Sequence, residues 1–241
     1  MNDDYRGIAK LYDLLFSAAL KQLREDIRTY IFHKNYQRIV DICCGTGEQL
    51  HYLFRPDMKL CGIDSSLAML EQARKRCARP TEFHLLDAEQ EAFSPNSFDC
   101  AILSLALHEK HPAAAQTIFR NCYRLLKDRG ALVIADFNTP SRGVLGTLIG
   151  RCLIPLIERC GGTDHYRYYS QWSETGGLEA FLNRQNLAAE IISRPLRGNL
   201  LCCAVVKDDA RKIVQQNFAL LDLDLRKNKQ VKSAERHEQH R

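Results

Sequence analysis

The hydrophobic positions of this chain follow two spacings in turn, one typical of helices and one typical of buried strands. Near the N-terminus, apolar residues recur every three or four positions from Ile8 to Ala18, and a second apolar stripe continues to Ile31. Short apolar runs then alternate with helical patterns; the runs are residues 38–42, 60–64, 81–86, 99–105 and 131–136. This alternation predicts an α/β protein with a doubly wound, mostly parallel sheet and helices on both faces.

Polar side chains collect where the predicted strands end. Asp41, Asp64, Asp87, Ser104 and Asp136 each lie at or next to the end of a strand. Sheets of this class bind ligands beyond the carboxyl ends of their parallel strands. We therefore expect the ligand site along the edge that these residues share.

Residues 40–50, VDICCGTGEQL, run from a strand through a glycine turn into a helix. Gly45 and Gly47 can adopt positive φ and let a ligand approach the backbone, while the helix amides beyond Gly47 point back at that ligand. Asp64 ends the second strand, where a carboxylate can accept hydrogen bonds from ribose hydroxyls. The combination predicts a nucleotide-type ligand, with a purely structural turn as the alternative.

Four motifs carry a resemblance to a known family: DICCGTG at 41–47, GID at 62–64, DAE at 87–89 and FDCAILSLALHE at 98–109. The chain resembles the class I S-adenosylmethionine (SAM)-dependent methyltransferases over residues 8–206. Within them it is most similar to the quinone C-methyltransferases of ubiquinone and menaquinone synthesis, in the methyltransferase type 11 group. The resemblance implies a Rossmann-like fold with seven strands, the last of them antiparallel.

The resemblance also implies SAM as the cofactor and indicates the residues that bind it. These are Tyr12, Asp41, Cys43, Gly45, Thr46, Gly47, Asp64, Ser65, Asp87, Ala88 and Ser104. Cys43 stands where the commonest form of the loop has its first glycine. Several of these residues have structural alternatives, because Asp41 can tie down a loop, Asp64 and Asp87 can cap helices, and Tyr12 can be a plain core aromatic.

His108 follows the fourth strand, near the place where the transferred methyl group should lie. An imidazole can take up a proton near neutral pH, so His108 is the candidate catalytic residue, as a general base or in substrate positioning. A structural histidine is the alternative. Tyr166, Arg167 and Tyr168 match a family segment and are candidates for contact with the methyl acceptor, with surface packing as the alternative.

Residues 144–157, VLGTLIGRCLIPLI, show a helical apolar face but are too short and too interrupted to span a bilayer. The predicted inward face consists of Leu145, Leu148, Ile149, Cys152, Leu153 and Leu156. We interpret this segment as a lid over an apolar acceptor pocket, with membrane-surface contact or a dimer interface as alternatives.

The net charge of +5 is concentrated at the C-terminus, since residues 226–241 hold six basic and two acidic residues. The rest of the chain is nearly neutral, which argues against nucleic acid as a partner. The tail is interpreted as a solvated end or as a docking arm for phosphate or acidic lipid. Ten cysteines without metal-binding spacing, and an N-terminus without a secretory signal, predict a reducing, cytoplasmic location and no metal site.

We expect one methyltransferase domain over residues 1–207, with a helical cover at 1–35 and a lid-like insertion at 138–170, followed by a helical or disordered tail at 208–241. The predicted reaction is methyl transfer from SAM to a small apolar or aromatic acceptor, quinone-like or lipid-like, by a monomer or homodimer. A NAD-dependent oxidoreductase is a rival, although it would normally carry a third glycine near Leu50. A noncatalytic SAM-binding protein is the second rival.

Overall fold

The structure, a computed structural model, describes residues 3–207 except 78–79, 92, 140–142 and 160–161, with side chains from residue 17 onward. The predictions for the side chain of Tyr12 and for the tail at 208–241 lie outside the described residues. Within the described part of the chain, no helix combines the length and the apolar character needed to cross a membrane.

Seven strands form the sheet: β1 (Arg38–Ile42), β2 (Lys59–Asp64), β3 (Glu82–Leu85), β4 (Phe98–Ser104), β5 (Leu126–Phe137), β6 (Glu190–Ser193) and β7 (Leu200–Val206). The helices are α1 (Asp3–His33), α2 (Glu48–Leu53), α3 (Leu67–Arg76), α4 (Pro112–Leu125), α5 (Gly143–Leu148), α6 (Ile154–Glu158), α7 (Thr163–Glu174) and α8 (Gly177–Arg184). A π-helical turn, Ile149–Leu153, joins α5 to α6, and a 3-10 turn, Leu196–Gly198, precedes β7.

The strand order is β3-β2-β1-β4-β5-β7-β6. Strands β1 to β5 pair in parallel, whereas β7 is antiparallel to both of its neighbours. This is the predicted doubly wound sheet with an antiparallel last strand. The carboxyl ends of β1 and β4 lie side by side at its centre, because β1 is the strand at which the order reverses.

The sheet is covered on both faces by the apolar sides of the helices. Helix α1 contributes Leu23, Ile27 and Ile31 to the same core cluster as Ile39 of β1. Helix α4 buries an apolar face, which consists of Ala115, Ile118, Phe119, Cys122 and Leu125. Because fully buried strands pack against helices on both sides, β4 reads as a nearly continuous apolar run.

The structure gives the bounds of α1 and α4. The two N-terminal apolar stripes belong to one 31-residue helix, α1. Gly130, which the sequence pattern predicts to close the helix that begins at Pro112, lies instead within β5, since α4 stops at Leu125. A Cβ at Gly130 would come within 2.8 Å of the Asp99 carbonyl oxygen, so the glycine permits a close approach of two backbones.

The lid segment, Gly143–Glu158, is helical as predicted, but it presents a different face to the protein. Leu145, Leu148 and Leu156 are about half exposed, whereas Ile154 and Glu158 are buried. The π-helical turn changes the residue spacing per turn, and Gly146 and Gly150 allow close packing on Asn199. The predicted inward face of this segment is therefore wrong.

Candidate functional site

The turn after β1 depends on three residues with left-handed backbone conformations. Cys43, Gly45 and Gly47 have φ values of 59°, 52° and 70°. The family's first loop glycine is thus replaced by a cysteine that still adopts the glycine-type conformation, at a local strain of about 1–3 kcal/mol. Burial raises the pKa of the Cys43 thiol to about 12, so it stays protonated and is not a nucleophile.

The two glycines of this turn have different surroundings. A Cβ on Gly45 would meet no atom within 4 Å, so this residue leaves open space beside the backbone. A Cβ on Gly47 would lie 2.9 Å from the Cβ of Ala73 and 3.1 Å from the sulfur of Cys77. Gly45 therefore keeps room at the site, and Gly47 lets α3 pack closely against the turn.

A cavity of about 200 Å³, called here the β1 cavity, opens above the ends of β1 and β4. Five predicted SAM-binding residues line it: Asp41, Cys43, Gly45, Thr46 and Ser104. Residues that sequence reasoning missed complete the wall: Leu20, Leu23, Arg24, Cys44, Glu48, Gln49 and Leu105. Helix α1 thus supplies one side of the cavity, and the glycine turn supplies the other.

Asp41 is the buried acid of the β1 cavity, with 3% of its surface exposed. Burial, and after it the charge of Asp64, raise the pKa of Asp41 to about 8, against an opposing effect of Arg24. Within the described residues no hydrogen bond contributes to this shift. A carboxylate so placed favours a cationic ligand, because such a ligand would neutralise a charge that the protein leaves poorly compensated.

Arg24 brings the opposite charge to the same cavity. Its guanidinium lies 3.0 Å from the Glu48 carboxylate, and its carbonyl oxygen accepts a hydrogen bond from Gln49. Two acids, Asp41 and Glu48, and one base, Arg24, therefore line the cavity, which suits a zwitterionic ligand end. The apolar spacing of α1 gave no reason to single out Arg24, since the contact depends on how α1 crosses the sheet.

Asp64 links the second strand to the glycine turn. One carboxylate oxygen accepts a hydrogen bond from the Gly45 amide and the other from the Ser66 amide, each at 2.8 Å. The cap of α3 is Ser66, which accepts from the Met69 amide. Asp64 is half-buried and does not line the β1 cavity, although each of its oxygens keeps a lone pair for a further donor.

The remaining predicted SAM-binding residues lie around this centre. Thr46 contacts Arg76 through both its carbonyl oxygen and its hydroxyl group. Asp87 accepts from the Glu89 amide at 2.9 Å and begins a turn, not a helix. Ala88 is buried, and Ser65 is exposed. Gly47, Asp64, Ser65, Asp87 and Ala88 are not among the residues that line the β1 cavity.

A second buried acid, Asp136, lies at the end of β5 and is fully buried. It accepts hydrogen bonds from the amides of Leu107, His108 and Phe137, and its carboxylate lies 2.6 Å from Nδ1 of His108. The other ring nitrogen of His108 lies 3.4 Å from Glu158 at the end of the lid segment. His108 is therefore held between two acids.

The charges of these acids control the protonation of the imidazole. Burial by itself lowers the pKa of His108, but Asp136 and then Glu158 outweigh it and raise that pKa to about 10. Burial by itself raises the pKa of Glu158, but hydrogen bonds with His108 and His165 bring it below its usual range. The arrangement stabilises an imidazolium and a carboxylate at neutral pH.

A second cavity, of about 280 Å³ and called here the β5 cavity, lies beneath the lid segment at the end of β5. Its walls combine aromatic and apolar groups with polar ones, among them Phe137, Asn138, Thr147, Ile154, Tyr169 and Asn199. The rings of Phe137 and Tyr169 also lie 4.7 Å and 6.3 Å from that of His108. His108 thus lies behind the aromatic wall of this cavity.

The three candidate acceptor residues lie on α7 and do not line the β5 cavity. Tyr166 packs under Arg159, while the exposed Arg167 pairs with Asp164 and lies over Tyr168. Two residues of α7 do line the cavity, Ser173 and the aromatic Tyr169. Helical periodicity could have indicated it, since Tyr169 lies four residues after His165 on the buried side.

Comparison with known proteins agrees with this geometry. A family model described as a methyltransferase domain matches residues 39–130. A demethylmenaquinone methyltransferase of Thermotoga maritima is 33% identical over 176 residues, which are 68% of this chain and 75% of that protein. The chain belongs to the SAM-dependent methyltransferases. The cofactor of this family is SAM, and a NAD-dependent oxidoreductase is thereby excluded, as is a noncatalytic binding protein.

Other methyltransferases share the sequence or the fold to different extents. A methyltransferase of Synechocystis is 34% identical over 105 residues, which are 44% of this chain and 49% of that protein. The plantazolicin methyltransferase BpumL, solved with S-adenosylhomocysteine, has a TM-score of 0.57 at 17% identity and covers 86% of this chain and 92% of its own. The N-methyltransferase NodS of Bradyrhizobium japonicum has a TM-score of 0.54 at 13% identity, covering 80% and 98%. The two structures share the fold.

Proposed function

We propose that this methyltransferase acts on a small apolar or aromatic acceptor of the quinone type, which binds in the β5 cavity. The observation that carries the proposal is the cavity itself, because it combines the aromatic rings of Phe137 and Tyr169 with a few polar groups at the end of β5. Ligand sites of this composition favour compact, partly polar aromatic molecules. The similarity to proteins named as demethylmenaquinone methyltransferases supports the same class of acceptor.

The β1 cavity is the proposed site of the methyl donor. When bound, SAM supplies a methyl group on a positively charged sulfur, so the protein has mainly to hold donor and acceptor in line. Asp41 would bind the amino group of the donor, and Arg24 its carboxylate. Gly45 would leave room for the donor beside the backbone, while Asp64 would accept from ribose hydroxyls and Asp87 with Ala88 would meet the adenine edge.

The two cavities lie at the ends of neighbouring strands, which suits transfer between them. The β1 cavity includes Ser104 and Leu105 after β4, and the β5 cavity includes Phe137 and Asn138. Since β4 and β5 are adjacent parallel strands about 5 Å apart and Ser104 pairs with Ala135, the end of β5 extends two residues beyond the end of β4. Neither substrate has to cross the sheet to meet the other.

We propose that His108 positions the acceptor side of the site and does not remove a proton. The base hypothesis requires a neutral imidazole, whereas a pKa raised to about 10 keeps the ring protonated at neutral pH. Its ring is also 4% exposed and held between Asp136 and Glu158. Tyr166, Arg167 and Tyr168 stay candidates for contact at the rim, and Tyr169 joins them within the cavity.

The acceptor class can be tested with methyl-labelled SAM and a panel of a demethylated naphthoquinol, simple phenols, a phospholipid and tRNA. We expect label in the naphthoquinol and much less in the other members. Label found mainly in tRNA or phospholipid, or in none of the panel, would contradict the proposal.

The place of binding can be tested with a matched pair of substitutions in the lid segment. Thr147 lines the β5 cavity and Leu148 points outward, 57% exposed. We expect Thr147→Trp to raise KM for the acceptor by about tenfold, a loss of about 1.4 kcal/mol in binding. Leu148→Trp should leave KM unchanged, and both variants should bind SAM like the parent protein. Equal KM values in the two variants would place the acceptor elsewhere.

A further inference from the structure

Three side chains that can bind a metal converge behind the aromatic wall of the β5 cavity. One ligand atom from each of His108, Glu158 and His165 lies within 4.8 Å of the other two. Nε2 of His108 and Nε2 of His165 both approach the same carboxylate oxygen of Glu158, the first at 3.4 Å. His108 and Glu158 are buried, and the side chain of His165 is 25% exposed.

The distance between His108 and Glu158 fits a small divalent ion, and the distance between Glu158 and His165 needs an adjustment. Tetrahedral zinc with bonds of 2.0–2.1 Å holds its ligand atoms about 3.3 Å apart. The distance between His108 and Glu158 already has this value. His165 lies closer to Glu158 and would have to withdraw by somewhat less than 1 Å, which its partial exposure allows.

The Nδ1 atoms of His108 and His165 each face a carboxylate. Nδ1 of His108 lies 2.6 Å from Asp136, and Nδ1 of His165 lies 3.4 Å from Glu109. Histidines that bind metals usually donate this second N–H group to a carboxylate, which fixes the tautomer and turns the lone pair of Nε2 toward the metal. In the free protein a ring proton can occupy the place between Nε2 and Glu158, and a metal ion that binds there would displace it.

We propose that His108, Glu158 and His165 bind one divalent transition-metal ion, with zinc as the best-fitting case. Two imidazoles and one carboxylate are a known donor set for zinc and for ferrous iron, and they leave a position open. The three ligands come from the segment after β4, from the end of α6 and from α7. The ion would therefore tie the lid segment and α7 to the crest of the sheet. This inference does not depend on the identity of the acceptor.

The test is a titration of the dialysed, full-length protein with Zn²⁺ and with Co²⁺, and with Mg²⁺ for comparison. We expect one tightly bound equivalent of Zn²⁺ and of Co²⁺, a rise in Tm, and no such effect of Mg²⁺. The cobalt spectrum should lack a thiolate charge-transfer band, because the proposed ligands are nitrogen and oxygen. Absence of binding, or a thiolate band that indicates one of the ten cysteines, would overturn the proposal.

Substitutions locate the site. His165→Ala and the shape-preserving Glu158→Gln should each weaken zinc binding by at least tenfold, whereas His33→Ala, an exposed histidine at the end of α1, should not change it. Glu109→Gln tests the outer partner of His165 and should weaken binding by about 10-fold to 100-fold. Unchanged zinc affinity in both His165→Ala and Glu158→Gln would refute the assignment, and SAM binding in the same variants is an independent readout.

Discussion

The first and the fifth strands each end on a buried aspartate, but the two carboxylates have opposite surroundings. Asp136 accepts three amide hydrogen bonds and contacts the ring of His108, so the protein itself compensates its charge. Among the described residues, Arg24 is the one group whose charge lowers the pKa of Asp41, and that pKa still rises to about 8. The protein thus compensates the charge of the aspartate near the end of β5, but it does not compensate the charge of the aspartate near the end of β1.

The difference indicates which part of the site is suited to a positively charged ligand. A buried charge without partners destabilises the folded state, and it is tolerated where a ligand supplies the missing partner. In the β1 cavity, Asp41 therefore lacks a partner of positive charge, and a ligand can supply one. The β5 side is organised around internal pairs, which suits an acceptor without charge.

The largest expected effect concerns the contact between Asp136 and His108 on the β5 side. Asp136→Asn removes the charge that holds His108 and replaces an acceptor of several N–H groups by a side chain that also donates. We expect a loss of about 3–5 kcal/mol in the free energy of unfolding, measured by urea denaturation. Asp41→Asn is the matched substitution and should not destabilise the protein. Similar losses in the two variants would show that the contrast between the two acids is wrong.

A second prediction concerns the pH dependence of stability. Because the folded protein holds the proton of Asp41 more tightly than the unfolded chain does, stability falls as pH rises from about 4 through about 8. Relative to Asp41→Asn, the wild-type protein should lose on the order of 1 kcal/mol per pH unit between pH 5 and pH 8. Urea denaturation of both proteins across this range measures the difference. Parallel curves for the two would contradict the raised pKa.

A third prediction tests whether SAM binds to the carboxylate of Asp41. Asp41→Asn should weaken SAM binding by about 10-fold to 100-fold, since a charged hydrogen bond is worth about 1.5–3 kcal/mol. Isothermal titration calorimetry with SAM measures the affinity. Asp57→Asn, an acid exposed between α2 and β2, is the control and should bind SAM normally. An affinity within twofold of the wild type would remove Asp41 from the donor site.

The smallest expected effect concerns the strained turn beside Asp41. Cys43→Gly relieves a left-handed conformation that disfavours a side chain by about 1–2 kcal/mol, against about 0.5–1 kcal/mol for the greater freedom of glycine in the unfolded chain. The net gain should be about 0.5 kcal/mol, seen as a slightly higher Tm. Cys43→Ala keeps the Cβ and should bring no gain. A lower Tm for Cys43→Gly than for Cys43→Ala would show that the greater freedom of glycine in the unfolded chain outweighs the relief of strain.

Sequence reasoning found the β1 side well, because its information is local. The glycines, Asp41 and Asp64 stand in a fixed order around one strand-turn-helix unit, so spacing alone brings them together. Arg24 was missed because its place depends on the crossing of α1 over the sheet. The roles assigned to individual SAM-binding residues stay predictions.

The β5 side was harder to predict from the sequence, because its residues come from segments that are far apart along the chain. His108 was recognised from its place after the fourth strand, but Glu158 and His165 lie 50 and 57 residues later on separate helices. Periodicity failed for the lid segment since the π-helical turn shifts the register of its apolar residues. Small residues at 146 and 150, and not leucines, mark the side that packs.

The π-helical turn has a practical consequence for experiments on this enzyme. It places Cys152 at the surface, and among the cysteines that the structure describes this is the only exposed one. Among the described cysteines, a maleimide dye should therefore react first at Cys152, an outward position on the lid segment. Fluorescence of that dye would then report whether the surroundings of the segment at 143–158 change when SAM or an acceptor binds.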